Sequence, residues 1–248
     1  MKKIIPIIFL LILQFTFTET IKFSTGDWAP YTSNDMKNNG VICQIVKEAY
    51  KFENIDVEFE FLPWKRALYS ATKNSKKYAG TFPWYSNDER KENFYLSDSL
   101  FECKTVFFYL KSENFDWENF YDLKKLRVGG TLGYLYSTDF DNAAKSKVFY
   151  LERVPRDEQN FKKLKAKRID IFPNDILVGY HQIKNLFNKK EIALFTHHPK
   201  PIAIENMHIL FSKEVRRNKE LLEKFNSGLK KLKKTNRYDK ILQNAIKN

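Results

Sequence analysis

The sequence predicts a two-lobed α/β protein, and three observations support this fold class. Strand-like and helix-like segments alternate over the first 110 residues and again between residues 126 and 195. Such alternation is typical of mainly parallel sheets flanked by helices. A further strand and two helices follow and belong to neither alternation. Their most economical packing is a return to the first lobe, so we expect two strands to connect the lobes as a hinge.

Apolar spacing assigns the elements of the first alternation. It predicts strands over residues 21–24, 55–61, 78–82 and 105–110, and helices over 41–50 and from residue 64. The strand over 55–61 has alternating apolar residues, as a half-buried strand does. Ser86 and Glu89 stand at capping-box spacing, which indicates a further helix start.

The second alternation and the tail are assigned in the same way. We predict strands over residues 126–129, 148–154, 168–172 and 192–195, a helix directly after Thr131, a helix around Phe161, and a helix over 175–187. The tail contains a strand over 207–211 and helices over about 218–234 and 237–246. The predicted first lobe therefore covers residues 19–107 plus 207–248, and the second covers 108–206.

The N-terminus has the pattern of a secretory signal peptide. Lys2 and Lys3 precede an unbroken apolar run from Ile4 to Leu13, which is too short to span a bilayer. We place the cleavage site near Thr18, so that residues 1–18 are removed. An uncleaved anchor or a buried strand is the alternative. No cysteine follows the apolar run closely, which argues against a lipid anchor.

Composition and motifs exclude several function classes. The net charge of +13 could serve an anionic partner, but the basic residues are dispersed and a signal peptide argues against nucleic acid. Cys43 and Cys103 could pair in an oxidising compartment, although two buried free thiols are the preferred interpretation. The sequence has no zinc spacing, P-loop or G-x-S-x-G motif, so we expect no metal, no cofactor and no enzymatic activity.

Four motifs in order carry a resemblance to a known family. They are the loop Asp27-Trp28-Ala29-Pro30-Tyr31, the block Asn87-Asp88-Glu89-Arg90 with Ser97-Asp98-Ser99-Leu100, the turn Val128-Gly129-Gly130-Thr131, and the helices Phe225-Asn226-Ser227-Gly228-Leu229 with Tyr238 and Ile241-Leu242. The chain resembles the family 3 extracellular solute-binding proteins, the periplasmic amino-acid receptors of ABC uptake systems. The resemblance covers essentially all of the mature chain and implies a type II periplasmic binding protein fold.

The chain also departs from the family pattern. The Ser/Thr-rich stretch before the family's arginine is replaced by Thr81-Phe82-Pro83-Trp84-Tyr85, and Ser99 stands where the family has proline. These changes make the predicted ligand cleft more aromatic.

Candidate ligand contacts follow from the resemblance and from the chemistry of a zwitterion. Arg90 is the expected bidentate partner of a ligand carboxylate, with a surface charge as the alternative. Thr131 is the expected hydroxyl and N–H donor at the start of the second lobe's first helix, with a turn or N-cap residue as the alternative. Asp175 follows a strand end, where open α/β sheets bind ligands, and is the expected partner of a ligand ammonium; a plain helix N-cap is the alternative.

Aromatic residues at predicted strand ends could wall the cleft. Each could equally be an ordinary core residue. The candidates are Trp28, Tyr31, Trp64, Phe82 and Trp84.

The resemblance implies a periplasmic monomer that captures a small polar, amino-acid-like or carboxylate ligand by lobe closure and delivers it to the membrane permease of an ABC transporter. A periplasmic ligand sensor and a dehydratase-like enzyme on the same scaffold are the alternatives. The sequence does not identify the ligand.

Overall fold

The fold is described from a computed structural model that covers residues 18–72 and 77–247, with side chains as far as residue 244. The predicted signal peptide, residues 1–18, lies outside the described residues apart from Thr18. Within the described ranges, no helix combines the length and the apolar character needed to cross a membrane.

The first alternation forms the elements predicted for it and one short strand, Phe94–Leu96, that was not predicted. Its elements are β1 (Glu19–Thr25), α1 (Val41–Lys51), β2 (Ile55–Phe61), α2 (Trp64–Thr72), β3 (Gly80–Tyr85), α3 (Asp88–Asn93), β4 (Phe94–Leu96) and β5 (Phe101–Leu110). The helix predicted from the Ser86 and Glu89 pattern is present, but Asn87 caps it instead of Ser86. Helix α1 is amphipathic and buries one face that includes Ile42, Ile45 and Val46. Strand β2 shows the predicted alternation, with Ile55 and Val57 buried between exposed acidic residues.

The second alternation and the tail complete the chain. Their elements are β6 (Val128–Thr131), α4 (Thr138–Lys145), β7 (Leu151–Val154), α5 (Asp157–Lys165), β8 (Phe172–Asp175), α6 (Ile176–Leu186), α7 (Lys189–Ile192), β9 (Phe195–His197), β10 (Ala203–Ser212), α8 (Asn218–Lys234) and α9 (Arg237–Lys247). The two predicted C-terminal helices are confirmed almost to the residue.

Several predicted boundaries in the second alternation are wrong; the strand expected over 148–154, for example, begins only at Leu151. The strand expected over 168–172 is β8, which includes Pro173; a proline is tolerated there because β8 ends the strand order of the main sheet. Residue 192 ends the short helix α7 instead of starting a strand. The helix expected directly after Thr131 begins only at Thr138, because Ser137 caps it.

The strands form one main sheet that runs through both lobes. Its order is β2-β1-β3-β10-β5-β8, with β4 on β10 and β9 on β5. Strands β1, β2 and β3 are parallel, whereas β10 is antiparallel to both β3 and β5. The parallel pair β6-β7 joins this arrangement through a parallel bridge between Val128 and Ile171.

Two hydrophobic cores define the two lobes of the structure. The first core combines residues of β1, α1 and β2 with residues of β10, α8 and α9. The second core is formed by residues between Val106 and Phe195 and is dominated by phenylalanine. The tail thus packs with the start of the chain; one contact is the Tyr50 hydroxyl, which donates to the Leu221 carbonyl at 2.9 Å. Cys43 and Cys103 are both buried free thiols, as preferred from the sequence.

Helix α8 approaches α1 closely at Gly228, where a Cβ atom would overlap the backbone carbonyl of Ala49. Gly228→Ala should therefore lower the free energy of unfolding by about 1–3 kcal/mol, although alanine gains about 1 kcal/mol in helix propensity. Urea unfolding of both proteins measures this. Lys230→Ala, at an exposed position of the same helix, is the control. Equal stability of Gly228→Ala and wild type would contradict the close packing of the tail.

Candidate ligand cleft

A cavity between the lobes marks the candidate site. It has a volume of about 280 Å³ and is lined by Tyr85 from the first lobe, Glu205 from β10, and Leu135, Tyr136, Ser137, Thr138, Asp141 and Asn142 from the second lobe. A wider depression of about 870 Å³ lies beside β7 and α4. Its lining comes from the second lobe alone, so lobe closure could not enclose a ligand there.

Arg90 lies beside this cavity with its guanidinium held in place. Asn87 caps α3 and accepts a hydrogen bond from the Arg90 backbone N–H. The guanidinium carbon lies 4.2 Å from the ring centre of Tyr85 and 4.8 Å from that of Trp84, and Nη1 donates to the Tyr85 carbonyl at 2.7 Å. Among the described residues, no carboxylate forms an ion pair with Arg90.

Partial burial lowers the pKa of Arg90 from its ordinary value, and a guanidinium nevertheless stays charged in proteins. The guanidinium carries five N–H donors, and the contact with the Tyr85 carbonyl uses one of them. A half-buried cation that is held by rings and a carbonyl is therefore available to a carboxylate.

An aromatic wall extends from Arg90 into the first lobe. Trp64 and Trp84 meet edge to face with ring centres 5.2 Å apart, and Trp84 Nε1 donates to the Thr81 hydroxyl at 3.1 Å. The indole of Trp64 lies against Gly26 at the end of β1, where a Cβ atom would overlap it. The structure thus brings together Trp64 and Arg90 of the predicted contacts.

Asp175 lies at the junction of the lobes, and its carboxylate oxygens accept hydrogen bonds from groups of the protein. It caps α6 by accepting from the Val178 backbone N–H at 3.0 Å, as the alternative interpretation predicts. Its two oxygens also accept from the Tyr31 hydroxyl at 3.0 and 3.1 Å, and one accepts from Cys103 Sγ at 3.2 Å. Burial raises the pKa of Asp175 above its ordinary value.

The loop after β1 packs into this junction. Tyr31 is 2 % exposed, stacks on Phe101 with ring centres 4.3 Å apart, and lies 4.7 Å from the half-buried Trp28. Burial raises the pKa of the Tyr31 hydroxyl as well. Phe82 is fully buried between Phe23 and Phe59 in the first core, which matches the alternative prediction of an ordinary core residue.

Thr131 lies at the end of β6, not at a helix start, and its donors face inward. Its hydroxyl donates to Asp157, and its backbone N–H donates to the Tyr136 hydroxyl at 2.7 Å. The side chain is 2 % exposed. In this arrangement Thr131 supports a buried polar network instead of facing the cavity.

Asp157 is the centre of that network and was not singled out from the sequence. It begins α5 after β7, and its carboxylate also accepts from the side-chain amides of Asn174 at 3.3 Å and Gln182 at 3.2 Å. Burial raises its pKa. Its position after a strand end was a usable signal, but its partners lie 17 to 26 residues away in sequence.

The fold is that of a two-lobed α/β binding protein, and the cavity between its lobes is the candidate site. The family model of the bacterial extracellular solute-binding proteins, family 3, matches residues 21–248, and the chain belongs to this family. No curated protein matches the chain in sequence.

Solved structures share the fold of this chain. The second substrate-binding domain of GlnP from Lactococcus lactis is 19 % identical, with 93 % of this chain and 96 % of that chain covered and a TM-score of 0.72. An ancestral arginine-binding protein bound to arginine is 25 % identical, with 91 % and 97 % covered and a TM-score of 0.65. The ancestral amino-acid-binding protein AncCDT-1, described as a precursor of cyclohexadienyl dehydratase, is 22 % identical, with 92 % and 95 % covered and a TM-score of 0.65.

Replacement of Asp175 by Asn should change how stability depends on pH. The folded-state pKa is raised above the unfolded value of about 3.9, so between these two pKa values the folded protein binds more protons than the unfolded chain. Wild type should therefore lose stability relative to Asp175→Asn as the pH rises through this interval. Urea unfolding of both proteins between about pH 4 and pH 7 measures the difference. A gain in the relative stability of wild type with rising pH would contradict the assignment.

Proposed function

We propose that the protein captures a small, carboxylate-bearing, amino-acid-like solute by closing its two lobes, and delivers it to the permease of an ABC transporter. In this proposal residues 1–18 are removed on export to the periplasm, and the mature protein acts as a monomer. The first lobe covers residues 19–107 plus 207–248 and the second covers 108–206. The family assignment and the cavity between the lobes support it.

The main support for this proposal is the environment of the Arg90 guanidinium. A guanidinium that is half-buried, held by two aromatic rings and free of a carboxylate partner among the described residues is suited to a ligand carboxylate. Partial exclusion of water strengthens such a charge-assisted pair. Arginine also offers two parallel N–H donors, which a lysine at this position could not supply.

Binding is favoured over catalysis by the state of the buried carboxylates. Asp157 and Asp175 both accept hydrogen bonds from several protein donors, so neither carboxylate is presented to a ligand as a free acid or base. The ligand should accordingly be recovered unchanged after incubation with the protein.

Arg90→Ala should weaken ligand binding by roughly two to three orders of magnitude, because a buried ligand carboxylate without its partner costs about 3–5 kcal/mol. Native mass spectrometry of the purified protein identifies the co-purified ligand, and calorimetric titration gives the affinities. Arg90→Lys should restore only part of the loss.

Arg216→Ala is the matched control, since Arg216 is an exposed arginine on the first lobe. It should bind like wild type. Arg90→Ala with an affinity within a factor of about two of wild type would overturn the proposed carboxylate site.

A further inference from the structure

The charge of the cavity between the lobes is opposite to the charge of the chain. The chain carries a net charge of +13, yet the lining residues of this cavity include two carboxyl side chains, Asp141 and Glu205, and no lysine or arginine. Tyr85 and Tyr136 line it as well. Aromatic faces beside carboxylates favour a cation over an anion.

Asp141 and Glu205 differ in their partners. Asp141 is neutralised within the protein, because it pairs with Arg153 at 2.8 Å and accepts from the Tyr136 backbone N–H at 2.8 Å. Glu205 is exposed, and within residues 18–72 and 77–244 its carboxylate forms no ion pair and accepts no hydrogen bond. The uncompensated negative charge of the cavity is therefore that of Glu205.

The pairing of the two hinge strands, β5 and β10, determines the position of Glu205. It lies on β10 opposite Cys103 of β5, and side chains at directly opposite positions of an antiparallel pair share one face of the sheet. Cys103 contacts Asp175 on this face. Glu205 thus lies on the face of the hinge strands that also carries Cys103.

Asp175 cannot serve as the ammonium partner in this arrangement without losing its own contacts. Its oxygens are taken by Tyr31, Cys103 and Val178, and it is 6 % exposed. Glu205 is the carboxylate that remains open to a ligand cation.

Arg90, the proposed partner of the ligand carboxylate, lies next to the cavity that Glu205 lines. The Arg90 guanidinium lies 4.2 Å from the ring of Tyr85, and the same ring lines the cavity. A ligand with its carboxylate on Arg90 can therefore extend past Tyr85 toward Glu205.

We propose that Glu205 recognises a cationic group of the ligand, so that the ligand is a carboxylate with an ammonium or guanidinium group at some distance from it. This inference rests on the proposed function and adds its substrate class. In this proposal the bound ligand and the closing lobes cover Glu205, and a carboxylate that is removed from water requires a cation or several donors. A neutral ligand of the same shape leaves that requirement unmet and binds less tightly.

L-arginine and L-citrulline are suitable probes, because they have the same length and differ in a guanidinium against a neutral ureido group. In calorimetric titrations wild type should bind L-arginine at least about tenfold more tightly. Glu205→Gln should remove most of this preference by weakening L-arginine and sparing L-citrulline. Glu102→Gln, at an exposed position of the neighbouring strand β5, should keep the wild-type preference.

Equal binding of the two probes to wild type, an unchanged preference in Glu205→Gln, or no binding of either probe would overturn the assignment of a cationic ligand to Glu205. The Arg90→Ala titration with the co-purified ligand tests the proposed function independently of the Glu205 assignment. Suppose that Arg90→Ala abolishes binding of that ligand, while Glu205→Gln keeps the preference for L-arginine over L-citrulline. The proposed carboxylate site at Arg90 is then supported, and the proposed cation site at Glu205 is rejected.

Discussion

The backbone ladder between β5 and β10 is the constraint on which the two-lobed structure depends. Residues 101–105 pair with residues 203–207, and each strand then continues into contacts of its own in the two lobes. Strand β5 goes on to pair with β8 and β9, whereas β10 goes on to pair with β3 and β4. Both lobes therefore share one sheet, and a relative movement of the lobes must bend these two strands.

A second link between the lobes lies beside this ladder. Asp175 ends β8 and caps α6, yet its carboxylate binds the hydroxyl of Tyr31 from the first lobe. Val178, in the first turn of α6, is part of the first hydrophobic core. The start of α6 is thus held on the first lobe through the Asp175 carboxylate and the Val178 side chain.

Most helices and strands could be predicted because their apolar patterns lie within short stretches of sequence. The apolar faces of α1 and α8 and the alternation in β2 are each visible in a short stretch of sequence. The errors arose where a local signal was misleading. The strand expected over 168–172 lies at Phe172–Asp175 and includes Pro173, and Thr131 suggested a helix start but ends a strand.

The depth of a side chain was much harder to predict. Tyr31 and Phe82 follow strands in a way that suits a cleft wall, but their burial depends on Phe101, Phe23 and Phe59, which are distant in sequence. Glu205 was missed for the same reason: only the pairing of β10 with β5 places it beside the cavity.

A crystal structure of the protein with its co-purified ligand tests the central claim most directly. The account predicts a ligand between the lobes, with its carboxylate on the Arg90 guanidinium and further contacts from the loop that contains Leu135 and Tyr136. A ligand that contacts one lobe only, or that leaves Arg90 without a carboxylate partner, would contradict it.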